Sequence, residues 1–438
     1  MNASGVSYVW YAFAHDPSTD GIIQCGSFTT DSSGNATVNL GWEPQFLKFK
    51  RADSTGGWHI ADVFRGWNVS AEAGWLFANT SAAENNGFYG ANRVSPSATG
   101  FTTAGLSASA TYIYLAIRRP NKPPTSGTQV YNAIARTGTG AAATVTGVGF
   151  APDLMLSASR SVSLAKSWYD RLRGPRQSID STATSSEATA GIDVVTFGMD
   201  GYALAGAGEV NSVGGGNYIH HVFKRAPGVF DVVAYAGTGS AMTVNHSLGV
   251  TPELIIFKQR NPNSAWTLAW TTWCNQLYSG SLSTFMGLNS NLSAQGGSNL
   301  FTSTPSSSSF TLSANANFPQ GNEAGVNAVA YLFATKAGIS KVGSYTGNGS
   351  SQTINCGFSA GARFCLIKRT DSTGDWYVWD TARGIVSAND PHLSLNTTAA
   401  EVTTDDSIDP DSTGFIVNQV TGTDINVSGR VYIYLAFA

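Results

Sequence analysis

The run Lys50-Arg51-Ala52-Asp53-Ser54-Thr55-Gly56-Gly57-Trp58 returns late in the chain as Lys368-Arg369-Thr370-Asp371-Ser372-Thr373-Gly374-Asp375-Trp376. The correspondence continues through Asp62, Arg65 and Gly66, which return as Asp380, Arg383 and Gly384. A match this long is not chance, so the chain uses one supersecondary plan more than once. Weaker copies lie between. Gly-rich turns at Gly26-Ser27-Phe28, Gly138-Thr139-Gly140, Gly237-Thr238-Gly239 and Gly347-Asn348-Gly349 are expected to open four units. Three units then carry an aromatic or aliphatic residue ahead of a proline, at Trp42-Glu43-Pro44, Phe150-Ala151-Pro152 and Val250-Thr251-Pro252; the fourth has Phe358-Ser359-Ala360-Gly361. Each unit is expected to close on an alternating aromatic strand: Tyr112 to Ala116, Tyr218 to Val222, Val329 to Phe333, Tyr432 to Ala436.

These markers recur about every 100–110 residues, the size of one ordinary domain. The expected units are an arm over 1–19 and repeats over 20–120, 128–227, 228–337 and 338–438. Arg118 to Pro124 is Pro-rich and basic, and should be an extended, semi-rigid linker. Runs such as Ala36 to Leu40 and Gly414 to Val417 are short, β-branched or aromatic, and bounded by Gly, Ser, Asp or Asn. None has sustained 3.6-residue periodicity. The expected fold is therefore all-β: four tandem antiparallel β-sandwich, jelly-roll-like repeats preceded by an orphan N-terminal strand.

Composition agrees. Charged residues are 12% of the 438, about half the usual share. A net charge of -3 gives no electrostatic case for nucleic acid or an anionic membrane. No run of about 18 apolar residues is present to span a bilayer, and Met1 to Val9 lacks the basic start of a secretory signal. Cys25, Cys274, Cys356 and Cys365 have no C-x-x-C spacing and are expected as reduced thiols.

The orphan strand is Tyr8-Val9-Trp10-Tyr11-Ala12-Phe13-Ala14, which looks like the closing strand Tyr432 to Ala438 with no unit ahead of it. An exposed apolar edge invites pairing. Tyr8, Trp10, Tyr11 and Phe13 are thus candidates for strand addition to a sheet edge, in the same chain or in a neighbouring subunit. The alternative is that the segment packs loosely.

Catalytic signatures are few. His220 and His221 are adjacent in a closing strand, so their rings point to opposite faces and do not share a metal; His220 is read as standing in for Tyr114, Tyr331 and Tyr434. The pairs Asp62/Arg65, Asp170/Arg173 and Asp380/Arg383 are replaced in repeat three by Trp270 and Trp273. A shared reaction would not tolerate that exchange, so the pairs are read as structural braces. The acidic stretch Glu401, Asp405, Asp406, Asp409 and Asp411 is read as a solvated turn, with a Ca²⁺ loop as the alternative and a glycosidase carboxylate pair a weaker one. There is no G-x-S-x-G, P-loop or H-E-x-x-H motif. No enzyme, cofactor or metal is expected.

The residues Gly343 to Ser350, Asn355 to Phe358 and Ile367 to Trp376 together resemble an uncharacterised repeat domain of tailed phages, found in tail-fibre-like and other virion proteins, especially of aquatic phages. The resemblance is strongest in repeats one and four and brings no catalytic residues. It implies location on a virion, with other virion proteins as partners. The expected function is a tail fibre or spike component that contacts a host-surface glycan, with Trp67, Trp75, Trp270 and Trp273 as candidate stacking residues, each having core packing as its ordinary role. The alternative is a head decoration, vertex or neck protein; a polysaccharide depolymerase is the weakest reading. A homo-oligomer is expected, a trimer being common for projecting proteins.

Overall fold

The structure is a computed structural model. It describes residues 4, 7, 9, 11–18, 21–67, 74–86, 93–189, 193–206, 209–212, 216–261, 267–270, 284–296, 300–314 and 321–438. Among these residues the regular structure is strand, apart from one 3₁₀ turn at Gly127–Gln129. The chain forms two compact units, one of residues 1–62 and 71–120, the other of residues 63–70 and 121–438.

One strand plan occurs four times. In repeat four, a five-stranded sheet runs Ser340–Thr346, Val431–Phe437, Phe364–Arg369, Tyr377–Asp380, Leu393–Ser394, and a three-stranded sheet runs Gln352–Asn355, Gly414–Val417, Ile408–Asp411. All pairings are antiparallel. Repeats one and two repeat this order with one more short strand on the larger sheet; repeat three does so with two strands in the smaller. The two sheets form a sandwich around a core of Tyr345, Ile354, Ile367, Trp379, Phe415, Tyr432 and Tyr434. Repeats two and three keep equivalent cores of their own, as the repeat length predicts. In the first unit Phe28, Leu47, Phe49, Phe101 and Tyr112 are buried in the same way.

Repeats two to four also share a second core. Along Val431–Phe437 the side chains of Tyr432, Tyr434 and Ala436 enter the sandwich of repeat four, whereas Ile433, Leu435 and Phe437 enter a cluster built from all three repeats. The alternation is the ordinary two-residue strand period, but here both faces are covered. Phe223, Phe333 and Phe437 occupy the same register position, opposite Leu154, Leu254 and Phe364 respectively. Their rings form a triangle with centroid separations of 6.2, 5.4 and 6.4 Å. The second unit is therefore a pseudo-three-fold ring in one chain. Backbone bonds close it: Glu187 N donates to Arg260 O at 2.7 Å, Ala294 N to Thr370 O at 2.8 Å, and Glu401 N to Arg160 O at 2.9 Å. These run from repeat two to three, three to four, and four back to two.

A buried asparagine clamps the Gly-rich turn of each repeat in the ring. Asn211 accepts from Thr139 N and donates to Ala141 O and Ala205 O. Asn322 repeats the pattern with Thr238 N, Ser240 O and Ser313 O, and Asn426 with Asn348 N, Ser350 O and Val417 O. Removing such a side chain leaves buried backbone groups unpaired, which costs about 1–3 kcal/mol. Asn426→Ala should lower the unfolding free energy of the second unit by that amount, seen as a lower urea midpoint at unchanged slope.

Three sequence expectations need correction. Gly26 is not the counterpart of the Gly138, Gly237 and Gly347 turns: it lies inside Ile23–Thr29 opposite Tyr114. Its equivalent is Gly343, opposite Tyr434. In both places a Cβ would meet the tyrosine ring, at 2.7 and 2.6 Å, so a side-chain-free residue is needed. His220 aligns with Tyr114 and Tyr434, but Tyr331 aligns with His221. The orphan segment, over Tyr11 to Pro17, is not a strand. Tyr11 and Phe13 are 83% and 53% exposed; Tyr8 and Trp10 lie outside the described residues. The arm's ties to the sheet are His15 Nδ1 accepting from Cys25 N at 3.1 Å and Asp16 N donating to Ile23 O at 2.9 Å. These hold its base, and among the described residues Tyr11 to Ala14 join no ladder of this chain.

Candidate functional site

The most elaborate polar constellations in the second unit lie where repeats meet. Asp170 ends Ser167–Asp170, and the turn after it brings Arg173 back over the carboxylate. Arg173 Nε pairs with Asp170 Oδ2, Nη2 donates to Trp168 O at 3.0 Å, and Nη1 donates to Glu187 Oε2 at 2.8 Å. Glu187 then receives Arg260 from repeat three, Nε at 2.9 Å and Nη2 at 2.6 Å. Tyr331 of repeat three donates to Asp170 Oδ2 at 2.8 Å. Four charges, Asp-Arg-Glu-Arg, thus bind two repeats together with bidentate geometry.

Repeat four builds the same clamp onto repeat two. Arg383 Nε donates to Asp380 Oδ2 at 2.5 Å, Nη2 to Val378 O at 2.8 Å, and Nη1 to Glu401 Oε1 at 3.2 Å. Arg160 of repeat two donates to Glu401, Nε at 3.0 Å and Nη2 at 2.9 Å. His221 takes the position of Tyr331, with Nε2 3.7 Å from Asp380 Oδ2 and Nδ1 3.0 Å from Tyr131 Oη. Burial pushes the Asp380 and Glu187 carboxyls up, but the charge of Arg383 on one and Arg173 on the other outweighs it, and both end below the ordinary range. Burial likewise opposes the charged form of Arg173, but Asp170 reverses this and raises it. Arg173, Glu187 and Asp380 keep their charged forms because each faces a fixed opposite charge.

The third junction lacks the whole set. Trp270 stands opposite Leu254 where Asp170 and Asp380 stand opposite Leu154 and Phe364. Ala294 replaces the glutamate, Thr370 the receiving arginine, and Leu435 the His221 or Tyr331 position. The junction keeps its backbone bond and adds Trp376 Nε1 donating to Gly287 O at 2.9 Å and Ser290 O at 3.2 Å. Each repeat of the ring also sends one lysine to a neighbouring loop: Lys166 to Ala399 O, Lys258 to Thr184 O, Lys368 to Asn291 O. Burial pulls each ammonium down to about 8.

The sequence singled out the Asp/Arg pairs and their Trp replacement. It missed the partners Arg160, Arg260 and Glu187, and read Glu401 as part of an acidic turn. The acidic residues divide: Glu401 joins the clamp, Asp405 Oδ1 meets His392 Nδ1 at 3.1 Å, Asp406 and Asp409 both accept from Asn418, and Asp411 caps the turn at Thr413. Among the described residues no three His, Cys, Asp or Glu side chains converge as metal ligands. Asp62 belongs to the first unit and Arg65 to the second. Trp67 and Trp75 are core residues, 0% and 2% exposed, so neither offers a ring face for stacking. Trp270 lies in Thr267–Trp270, and Trp273 lies outside the described residues, as does Cys274. Cys25, Cys356 and Cys365 are free thiols. No helix among the described residues is long and apolar enough to cross a membrane.

The extent of the ring coincides with a known family. The model of a domain of unknown function, DUF7483, matches residues 126–438. The chain belongs to the DUF7483 family. The match runs through repeats two, three and four as one domain, in keeping with their shared core, and leaves repeat one outside. No curated protein matches the chain.

Proposed function

We propose that this DUF7483 protein is a non-catalytic structural component of a tailed-phage virion, most simply a tail fibre or spike element that contacts the host surface. The observation that carries the reading is how the buried charge is used. Asp170, Arg173, Asp380 and Arg383 are all buried, and their bonds go to one another, to backbone carbonyls and to the next repeat. Groups held this way have no lone pair or proton turned toward a substrate. They make a rigid block, which suits a load-bearing particle component. The resemblance of Gly343 to Ser350 and Ile367 to Trp376 to phage repeats supports a place on a virion. Other virion proteins are the expected partners, and contact with a host glycan falls to residues other than Trp67 and Trp75.

A particle-assembly role at the head, vertex or neck is favoured by one feature, the exposed apolar arm bearing Tyr11 and Phe13. Gold-antibody labelling of intact particles in electron microscopy separates the readings. Label on fibres or the tail tip is the expected result. Label over the head or at the neck makes assembly the function, and unlabelled particles overturn the virion reading.

A further inference from the structure

We propose that repeat one assembles with the repeat-one sandwiches of two other copies of this chain, closing a second three-membered ring and making the protein a homotrimer. The proposal specifies the surface for the oligomer expected above, and it is independent of where on a particle the protein sits.

The ring in the second unit defines what the outer face of the larger sheet does in this fold. Ile219, Val329 and Ile433 project from the three central strands into the shared core and are fully buried. The ring is closed, since its bonds run from repeat two to three to four and back to two. Repeat one carries the same apolar face. By register Ile113 matches Ile433, Leu115 matches Leu435, and Ile60 matches Val378; Ile22 precedes its first strand as Ile339 does in repeat four. Yet Ile22 and Ile113 are 62% and 40% exposed. Apolar side chains at a position built for burial mark an interaction surface.

A second observation names the occupant. The segment Lys368 to Trp376 is a socket. Its Lys368 Nζ and Gly374 N donate to Asn291 O, its Trp376 Nε1 donates to Gly287 O and Ser290 O, and its Thr370 O accepts from Ala294 N. All of these partners lie on one loop of repeat three. The same segment is the strongest repeat in the sequence, present in repeat one as Lys50 to Trp58. Repeat one also holds the matching loop: Asn79 to Glu84 corresponds to Asn396 to Glu401, the loop that repeat four sets on repeat two. In both repeats the loop asparagine accepts from the socket tryptophan of its own repeat at 2.8 Å, Trp58 N to Asn79 Oδ1 and Trp376 N to Asn396 Oδ1. A socket and a loop on one sandwich make a head-to-tail interface, and head-to-tail contacts close into a ring when the rotation allows. The second unit shows that this rotation closes at three. A second and third copy of repeat one are therefore the partners that fit.

One residue departs from the pattern. Lys48 stands where the ring repeats carry Leu156, Ile256 and Leu366, and its ammonium lies 4.7 Å from the Trp58 ring centroid. A charge in this position weakens the association relative to the covalent ring. The trimer should therefore depend on concentration.

Sedimentation of the full chain tests this. The expected species has three times the 45.9 kDa chain mass at micromolar concentration. Ile113→Lys, at an exposed position, should return it to monomers with unchanged circular dichroism. Lys48→Leu should lower the monomer–trimer midpoint about tenfold or more, since burial of its extra apolar surface exceeds the 1.4 kcal/mol that a decade requires. A wild-type monomer or dimer overturns the proposal. So does a trimer that survives Ile113→Lys, or one lost on deleting residues 1–14 but untouched by Ile113→Lys, which would place the interface on the arm. None of these outcomes bears on where gold label appears on a particle.

Discussion

Arg383→Ala will destabilise the three-repeat ring by about 3–5 kcal/mol, the usual result of removing one partner from a buried ion pair. The side chains of Arg383 and Asp380 are fully buried. Alanine leaves the Asp380 carboxylate with no guanidinium, removes a donor from Val378 O, and leaves Glu401 held by Arg160 alone. Burial then dominates Asp380 and pushes its carboxyl upward, so part of the loss is recovered by protonation. Urea unfolding of the full chain at neutral pH, followed through the transition of the second unit, measures the loss. A cost below about 1 kcal/mol would mean that the clamp contributes no more than an exposed ion pair.

The same experiment has an internal control that the protein itself supplies. At the junction between repeats three and four the sequence carries Trp270, Trp273, Ala294, Thr370 and Leu435 at these positions. Transplanting that set, as Asp380→Trp, Arg383→Trp, Glu401→Ala, Arg160→Thr and His221→Leu, should bring stability back to within about 2 kcal/mol of wild type, because a complete apolar replacement of a buried ion network is often neutral or better. Any one of these changes alone should be costly. The joint exchange of all five positions at one junction is the argument that they form one unit of structure. Residues that served a reaction would have no reason to disappear together with their neighbours' bonding partners.

Much of this was legible in the residues and some was not. The four-fold plan, the strands and the sandwich cores follow from short β-branched runs bounded by Gly and Asn, which is local information. The Asp/Arg pairs stood out because charge is scarce in this chain. Their partners did not, because Arg160 and Arg260 lie three-dimensionally opposite glutamates of a different repeat, and sequence spacing carries no trace of that. The shared core left one signal that the strand pattern contained. Val329 to Phe333 and Tyr432 to Phe437 are apolar without alternation, which is what strands covered on both faces look like. A sandwich of two sheets alone calls for polar residues at Ile433 and Leu435. The apolar arm shows the reverse: strand-forming residues form a strand only where a free edge meets them, and among the described residues Tyr11 to Ala14 join no strand within this chain.

Acid should weaken the ring through histidines that are buried neutral. Burial, assisted by the charge of Arg136, pulls His220 down to about 3; burial pulls His221 down to about 4 against the attraction of Asp380. In the unfolded chain both titrate near 6.5. Their folded values lie below the unfolded ones, so as pH falls under about 6.5 the unfolded chain takes up protons that the folded ring refuses, and stability declines until about pH 4 for His221 and about pH 3 for His220. Asp390, which burial raises to about 7, acts in the opposite sense, so the prediction is read as a difference between variants. Sister repeats supply the replacement: where repeat two pairs Tyr202 with His220 at 2.6 Å, repeat four pairs Phe415 with Tyr434 and repeat one Phe101 with Tyr114. The triple change Tyr202→Phe, His220→Tyr and Ile134→Gly moves the hydroxyl across the pair and removes the titrating ring; Ile134 is included because it stands opposite His220 where Gly343 and Gly26 stand opposite the tyrosines. At pH 7 it should lie within about 1.5 kcal/mol of wild type. At pH 4.5 it should have gained about 3 kcal/mol relative to wild type, two units below the unfolded histidine value at about 1.4 kcal/mol per unit. Urea midpoints at the two pH values decide it. An unchanged difference between pH 7 and 4.5 would mean that His220 takes up its proton in the folded ring, which its complete burial and the nearby Arg136 charge both oppose.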